Sequence, residues 1–130
     1  MFGDLFVQRS ENMIIFSKKK KIQKYLESIS VENRTPFEQL LQDYQSGYLK
    51  NKLNNIGINK ISIHIDWLEN YKCIGIQAQY NEYYMDCQIF ENEFTLSFDL
   101  DEADDDTEYL LEDGECFYSI IRKAIETIQK

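Results

Sequence analysis

One proline, five glycines, three cysteines and a single histidine are spread over 130 residues. With 43% hydrophobic and 14% aromatic side chains, that scarcity of turn-formers excludes a low-complexity or intrinsically disordered chain. A lone histidine, His64, leaves no two-histidine metal site and no histidine-rich catalytic cluster within one chain. The glycines are isolated, so no phosphate-cradling loop is present. Cys73, Cys87 and Cys116 are odd in number and widely spaced, which matches neither a disulfide framework nor a zinc pattern, and reduced thiols are expected. No apolar run approaches the roughly 18 residues of a membrane-spanning helix, and Met1-Phe2-Gly3-Asp4 lacks the basic start and apolar stretch of a signal peptide. These absences predict a cytoplasmic protein that is not an enzyme and needs no cofactor. A chain of this size buries roughly two-thirds of its unfolded surface, enough for a single domain over 1–130.

What is present is charge, and it is segregated. Residues 1–65 hold ten Lys or Arg and six Asp or Glu, a net of +4, whereas residues 66–130 hold four and seventeen, a net of −13; together they make the formal −9. Ten carboxylates lie between Asp99 and Glu115 with no basic residue among them. Such a field repels nucleic acid and anionic membrane, and accelerates encounter with a basic surface. Charge blocks also serve merely as solvated, solubilising segments.

The first 16 residues fit either a small hairpin or an irregular helix start. Lys18 to Leu26 has helical composition, although four consecutive lysines at its start oppose the helix dipole. Thr35-Pro36-Phe37-Glu38 matches a capping box with proline at the first helical position, so a helix is predicted to begin at Pro36. Phe37, Leu40, Leu41, Tyr44, Tyr48 and Leu53 continue it at helical spacing, with a kink allowed at Gly47 and a stop at Asn54-Asn55-Ile56-Gly57.

From Ile58 the period changes to two, as expected of strands with one buried face. Ile61, Ile63, Ile65 and Trp67 form one such run; Ile74, Ile76, Ala78 and Tyr80 a second; Tyr83, Met85, Cys87 and Ile89 a third; Phe94, Leu96 and Phe98 a fourth. Residues flanking a two-residue hairpin loop must share a face, which makes the register testable. A loop at Asn81-Glu82 sets Ala78 beside Met85 and Ile76 beside Cys87; a loop at Glu91-Asn92 sets Ile89 beside Phe94 and Cys87 beside Leu96. A loop at Asn70-Tyr71 would set Trp67 beside Ile74 and Glu69 beside Lys72. A last helix is expected from about Gly114 to Ile128, with Phe117, Ile121, Ala124, Ile125 and Ile128 on one stripe. The expectation is an α+β fold: N-terminal helices, a four-stranded antiparallel β-meander, and a C-terminal helix packed on one sheet face.

Few residues invite chemistry. Cys116 stands near a helix start, where a thiolate can be stabilised, but carboxylates surround it; Cys87 reads as core, and Cys73 has no evident partner. Asp104, Asp106, Glu108 and Glu115 have the spacing of a calcium loop, yet Tyr109 occupies the position that needs glycine. The basic run Lys18 to Lys21 reads as a solvated helix start. Tyrosines beside the acid, notably Tyr84 and Tyr109, are suited to anchor a protein partner.

The stretch Ile61-Ser62-Ile63-His64-Ile65, the runs Asn81 to Ile89 and Glu93 to Asp99, and the acidic segment before a C-terminal helix together resemble small cytoplasmic immunity proteins of bacterial polymorphic toxin systems, including those of contact-dependent growth inhibition. The resemblance is one of pattern over a little more than half the chain, with no diagnostic motif. It implies a protein that neutralises one cognate toxin, often a nuclease acting on RNA, tRNA or DNA, by covering its active-site or substrate-binding surface. The acidic character suits that role independently, because a nuclease carries a basic cleft for phosphates. The expected partner contacts are Asp99, Asp101, Glu102, Asp104, Asp105, Asp106 and Glu108, with Tyr84 and Tyr109. A nucleic-acid mimic, such as an anti-restriction or anti-defence protein, would use the same carboxylates against several DNA-binding proteins. No nucleic acid, membrane or metal is expected as a partner.

Overall fold

A computed structural model describes residues 18–100 and 106–129. The chain divides into two compact units, 1–33 and 34–130, at a point where the composition shows no boundary. In the first unit, helix α1 covers 18–27, with Ile22 and Leu26 as its buried positions, and a 3-10 turn follows at Val31–Asn33.

The second unit opens with α2, Pro36–Ser46. Its capping box forms as expected: the Glu38 amide donates to Thr35 Oγ1 at 3.2 Å, and the Thr35 amide donates to Glu38 Oε1 at 2.9 Å. That pairing satisfies two otherwise orphaned donors and gives the buried Glu38 carboxylate a partner. The single kinked helix expected from Pro36 is instead two. Gly47 adopts φ +83°, its amide donates to Tyr44 O, and α3 restarts at Tyr48–Ile56. A left-handed residue cannot continue a right-handed helix, so the chain turns there rather than bends. Leu40, Leu41, Leu49 and Leu53 are fully buried on the two helices.

The sheet has five antiparallel strands in sequential order: β1 Asn59–Leu68, β2 Tyr71–Tyr80, β3 Tyr83–Ile89, β4 Glu93–Asp99 and β5 Thr107–Leu110. The α+β class and the meander match the sequence reading; the count of four does not. β5 is short and only one of its inward positions is apolar, Thr107 pairing with Leu96 and Tyr109 with Phe94, so the acidic segment read as loop does not display a strand period. Two registers come out as expected, Ala78 opposite Met85 and Cys87 opposite Leu96 among them. The first hairpin does not. It turns at Glu69-Asn70, which sets Ile65 opposite Ile74 and Trp67 opposite Lys72. The displacement is two residues, so every side chain stays on its expected face while its neighbour changes. Lys72 then lies 4.8 Å from the Trp67 ring centroid, a cation–π pair in place of the expected Glu69–Lys72 pair.

Helix α4, Gly114–Gln129, carries Phe117, Tyr118, Ile121 and Ile125 on its buried stripe. Phe117 meets Phe94 of β4 edge to face at 5.2 Å, and Phe94 stacks on Tyr109 of β5 at 5.3 Å, which ties the last strand to the core. Near the other end, Gln129 Nε2 donates to Tyr80 Oη. Each of these fully buried large side chains contributes about 1.5–3 kcal/mol by removal from water. The inward sheet face thus packs against helix, and on the opposite face Cys73 and Ser97 are buried while Tyr84, Glu93 and Glu108 are exposed.

The two left-handed glycines predict an ordered pair of substitutions. Nothing lies within 4 Å of a Cβ placed on Gly47, whereas one on Gly57 would be 3.3 Å from the Tyr80 ring. Gly47→Ala is expected to cost about 1 kcal/mol in urea unfolding from backbone strain alone, with Gly47→Asn costing less. Gly57→Ala should cost more than Gly47→Ala.

Candidate functional site

Pairing in the sheet places the outward side chains in rows. Gln77, Asp86 and Ser97 lie abreast on β2, β3 and β4; Tyr84 is opposite Asp99, Gln88 opposite Thr95, and Thr95 opposite Glu108. β3, β4 and β5 contain no lysine or arginine. Their outward side therefore carries Asp86, Glu93, Asp99 and Glu108, with Asp106 exposed immediately before β5. Among the described residues, Asp99, Asp106 and Glu108 make no ion pair. Tyr84 stands in this strip at 60% exposure, and Leu110 at 67%.

Of the nine residues expected to meet a partner, Tyr84, Asp99, Asp106 and Glu108 come together here. Asp101, Glu102, Asp104 and Asp105 lie outside the described residues. Tyr109 goes to the other side: it pairs with Phe94, stacks on it with 23° between the ring planes, and is half-buried. Asp86 is the residue that sequence reasoning missed, although its place on the polar alternation of β3 was readable. One of its oxygens, Oδ1, is buried without a hydrogen-bond partner among the described residues.

The thiols and the histidine fall into structural roles. Cys87 is fully buried in the core, and burial holds its pKa well above the ordinary thiol value. Cys73 is buried although it faces outward; its Sγ donates to Gln88 Oε1 at 3.2 Å, and burial raises its pKa as well. Both are held as thiols at neutral pH. Cys116 sits in the first turn of α4, where the Glu112 and Asp113 amides donate to its Sγ at 3.3 and 3.4 Å and its own amide donates to Asp113 Oδ1 at 2.6 Å. His64 is exposed and its ring lies over Gly75, where a Cβ would approach it to 2.3 Å. No group of three or more metal-ligating side chains occurs among the described residues, and the calcium-type frame begins at Asp104, outside them.

The helices build a second polar feature, a cleft of about 290 Å³ lined by Gln39, Asp43, Tyr48, Asp113 and Glu115. Tyr118 Oη, from the buried stripe of α4, donates to Asp43 Oδ2 of α2 at 2.7 Å. Lys52 of α3 donates to Tyr48 Oη at 3.0 Å and reaches Glu115 Oε2 at 3.5 Å. Its ammonium lies 5.3 Å from the Tyr48 ring centroid and 5.1 Å from that of Tyr118. Burial raises the Asp43 pKa above its ordinary value, partly offset by the hydrogen bond from Tyr118. Burial, reinforced by Asp43, pushes the Tyr118 phenol far up. Tyr118 is therefore a permanent donor that fixes the Asp43 carboxylate at the cleft.

No family model, curated protein or solved structure matches this chain.

The Asp43 environment gives a signed pH dependence. A carboxyl whose folded pKa is raised prefers its protonated form in the fold, so its contribution to stability is greatest below 3.8 and falls as pH rises through the raised value. The stability difference between the wild-type protein and Asp43→Asn, followed by urea unfolding across acidic pH, should shift against the wild type as pH rises through the window just above 3.8. A trend in the opposite direction would refute the burial account.

Proposed function

We propose that this protein is an immunity-type inhibitor that binds a cognate bacterial toxin domain through the outward face of β3, β4 and β5. The observation that carries the reading is the strip formed by Tyr84, Asp99, Asp106 and Glu108, which contains no basic residue and whose carboxylates make no ion pair among the described residues. Unneutralised carboxylates project a field that attracts a cationic surface over a distance set by salt. Tyr84 adds apolar area that loses little entropy on docking.

A nuclease that holds phosphates in a basic groove has the complementary surface, and an acidic sheet face laid over that groove would exclude substrate. Inhibition then needs no chemistry from this chain. It requires only that the toxin's cations find better partners here than in the nucleic acid. The resemblance to immunity proteins of contact-dependent growth inhibition systems supports the same reading, and the partner would be met in the cytoplasm.

The test is association kinetics with a toxic domain encoded immediately upstream, if there is one. The combined variant Asp99→Asn, Asp106→Asn, Glu108→Gln should associate about tenfold more slowly at low salt and lose most of its salt dependence, with its unfolding curve unchanged. Tyr84→Ala should act on dissociation instead. An unaltered association rate for the triple variant would overturn the proposed interface, and binding to several unrelated DNA-binding proteins would favour a nucleic-acid mimic.

A further inference from the structure

Apolar side chains set singly on a surface need no explanation, but adjoining ones do. Four adjoin on the outward face, at the end of the sheet that holds the β1–β2 and β3–β4 turns. Leu68 lies directly opposite Tyr71 across the first turn. Tyr71 meets Phe90 edge to face, with ring centroids 6.0 Å apart. The Phe90 amide donates to Glu93 O at 2.8 Å, and Glu93 lies opposite Leu110 of β5. Leu68 is 63% exposed, Tyr71 47% and Leu110 67%, while Phe90 is half-buried. The result is an apolar row across the ends of all five strands, interrupted only by Glu93.

Its surroundings have one sign. Asp66, Glu69, Glu91, Glu93 and Glu108, on the row or beside it, are all exposed carboxylates. Lys72, at the same end, lies over the Trp67 ring on the inward side. A second copy of this chain would bring like charge against like, and an anionic membrane would be repelled in the same way. An occupant that satisfies both the row and its acidic border carries apolar side chains flanked by cations. Its backbone is constrained as well. The main-chain groups of β2, β3 and β4 are already paired with neighbouring strands, so an extended peptide laid on this face would find no partners for its own amides and carbonyls. A helix arrives with those groups satisfied. Four strand spacings of about 4.8 Å make the row roughly 19 Å long, which a helix of about 13 residues spans at about 1.5 Å per residue.

We propose that this row is a docking surface for a basic amphipathic helix of a partner protein. The helix lays its apolar stripe across Leu68, Tyr71, Phe90 and Leu110 and directs its lysines or arginines to the surrounding carboxylates. The row adjoins the acidic strip, with Glu108 and Leu110 on the same strand, yet it requires no toxin.

The experiment is a two-dimensional amide NMR titration of the intact protein with two acetylated, amidated peptides of leucine and lysine, each about 14 residues long. One places its leucines on a single helical face; the other has the same composition with its leucines dispersed around the helix. Saturable shifts centred on residues 68, 71, 90 and 110 are expected with the first peptide, which should gain helical circular dichroism on binding. The second should bind about tenfold more weakly although its charge is identical. Leu68→Ser and Leu110→Ser, both at exposed positions, should each weaken the first peptide about three- to tenfold with unfolding curves unchanged. Glu93→Gln should weaken it about threefold. Absence of saturable binding, equal binding of the two peptides, shifts confined to residues 84, 99 and 108, binding without a gain of helix, or unaltered affinity in both leucine variants would each overturn the proposal. No toxin enters the titration, so its failure leaves the inhibitor reading standing, and loss of that reading leaves the row in place.

Discussion

Strict alternation of side chains across hairpin-linked strands is the constraint on which the molecule rests. Because the period is two, each strand must send its apolar residues to one side, and short loops oblige its neighbours to do the same. Ile74, Ile76, Met85, Cys87, Ile89, Phe94 and Leu96 are consequently buried together. The apolar stripe of α4 and the leucines of α2 and α3 share that core, with Phe117 set edge to face against Phe94.

Everything polar follows from that segregation. Once one side of the sheet is committed to the core, charged residues interleaved in β3, β4 and β5 have only the outward side left. Asp86, Glu93, Asp99 and Glu108 are therefore gathered by geometry, although they are scattered in sequence. Similar reasoning explains the helical cleft. Asp43, Tyr48 and Glu115 lie where α2, α3 and the start of α4 converge, beside the buried Tyr118 that anchors one of them.

Much of this was readable before any coordinates. The capping box at Thr35 and the registers on either side of β3 are local rules with strong residue signatures, and they hold. The break at Gly47 was visible as a glycine, but whether a glycine bends or ends a helix depends on its φ, which composition does not encode. The first hairpin slipped by two residues because Glu69, Asn70 and Tyr71 permit either turn, and both choices keep the apolar face intact. β5 was hidden because its four residues, Thr107 to Leu110, hold one acid and one aromatic and show no apolar alternation, and its strand character comes from pairing with β4. The same misreading put Tyr109 among exposed anchors, whereas stacking on Phe94 draws it inward. The cleft was illegible for a different reason: its residues come from positions up to 76 apart, and no periodicity joins Gln39 to Glu115.

The central claim is that the outward side of the last three strands is where a basic protein docks. Amide hydrogen exchange of this chain, alone and with the toxic domain bound, tests it most directly. Slowed exchange on complex formation across residues 84–99 and 106–110, with α2 and α4 unchanged, is the predicted outcome. Protection confined to the helices, with the exchange of β3, β4 and β5 unaltered, would contradict it.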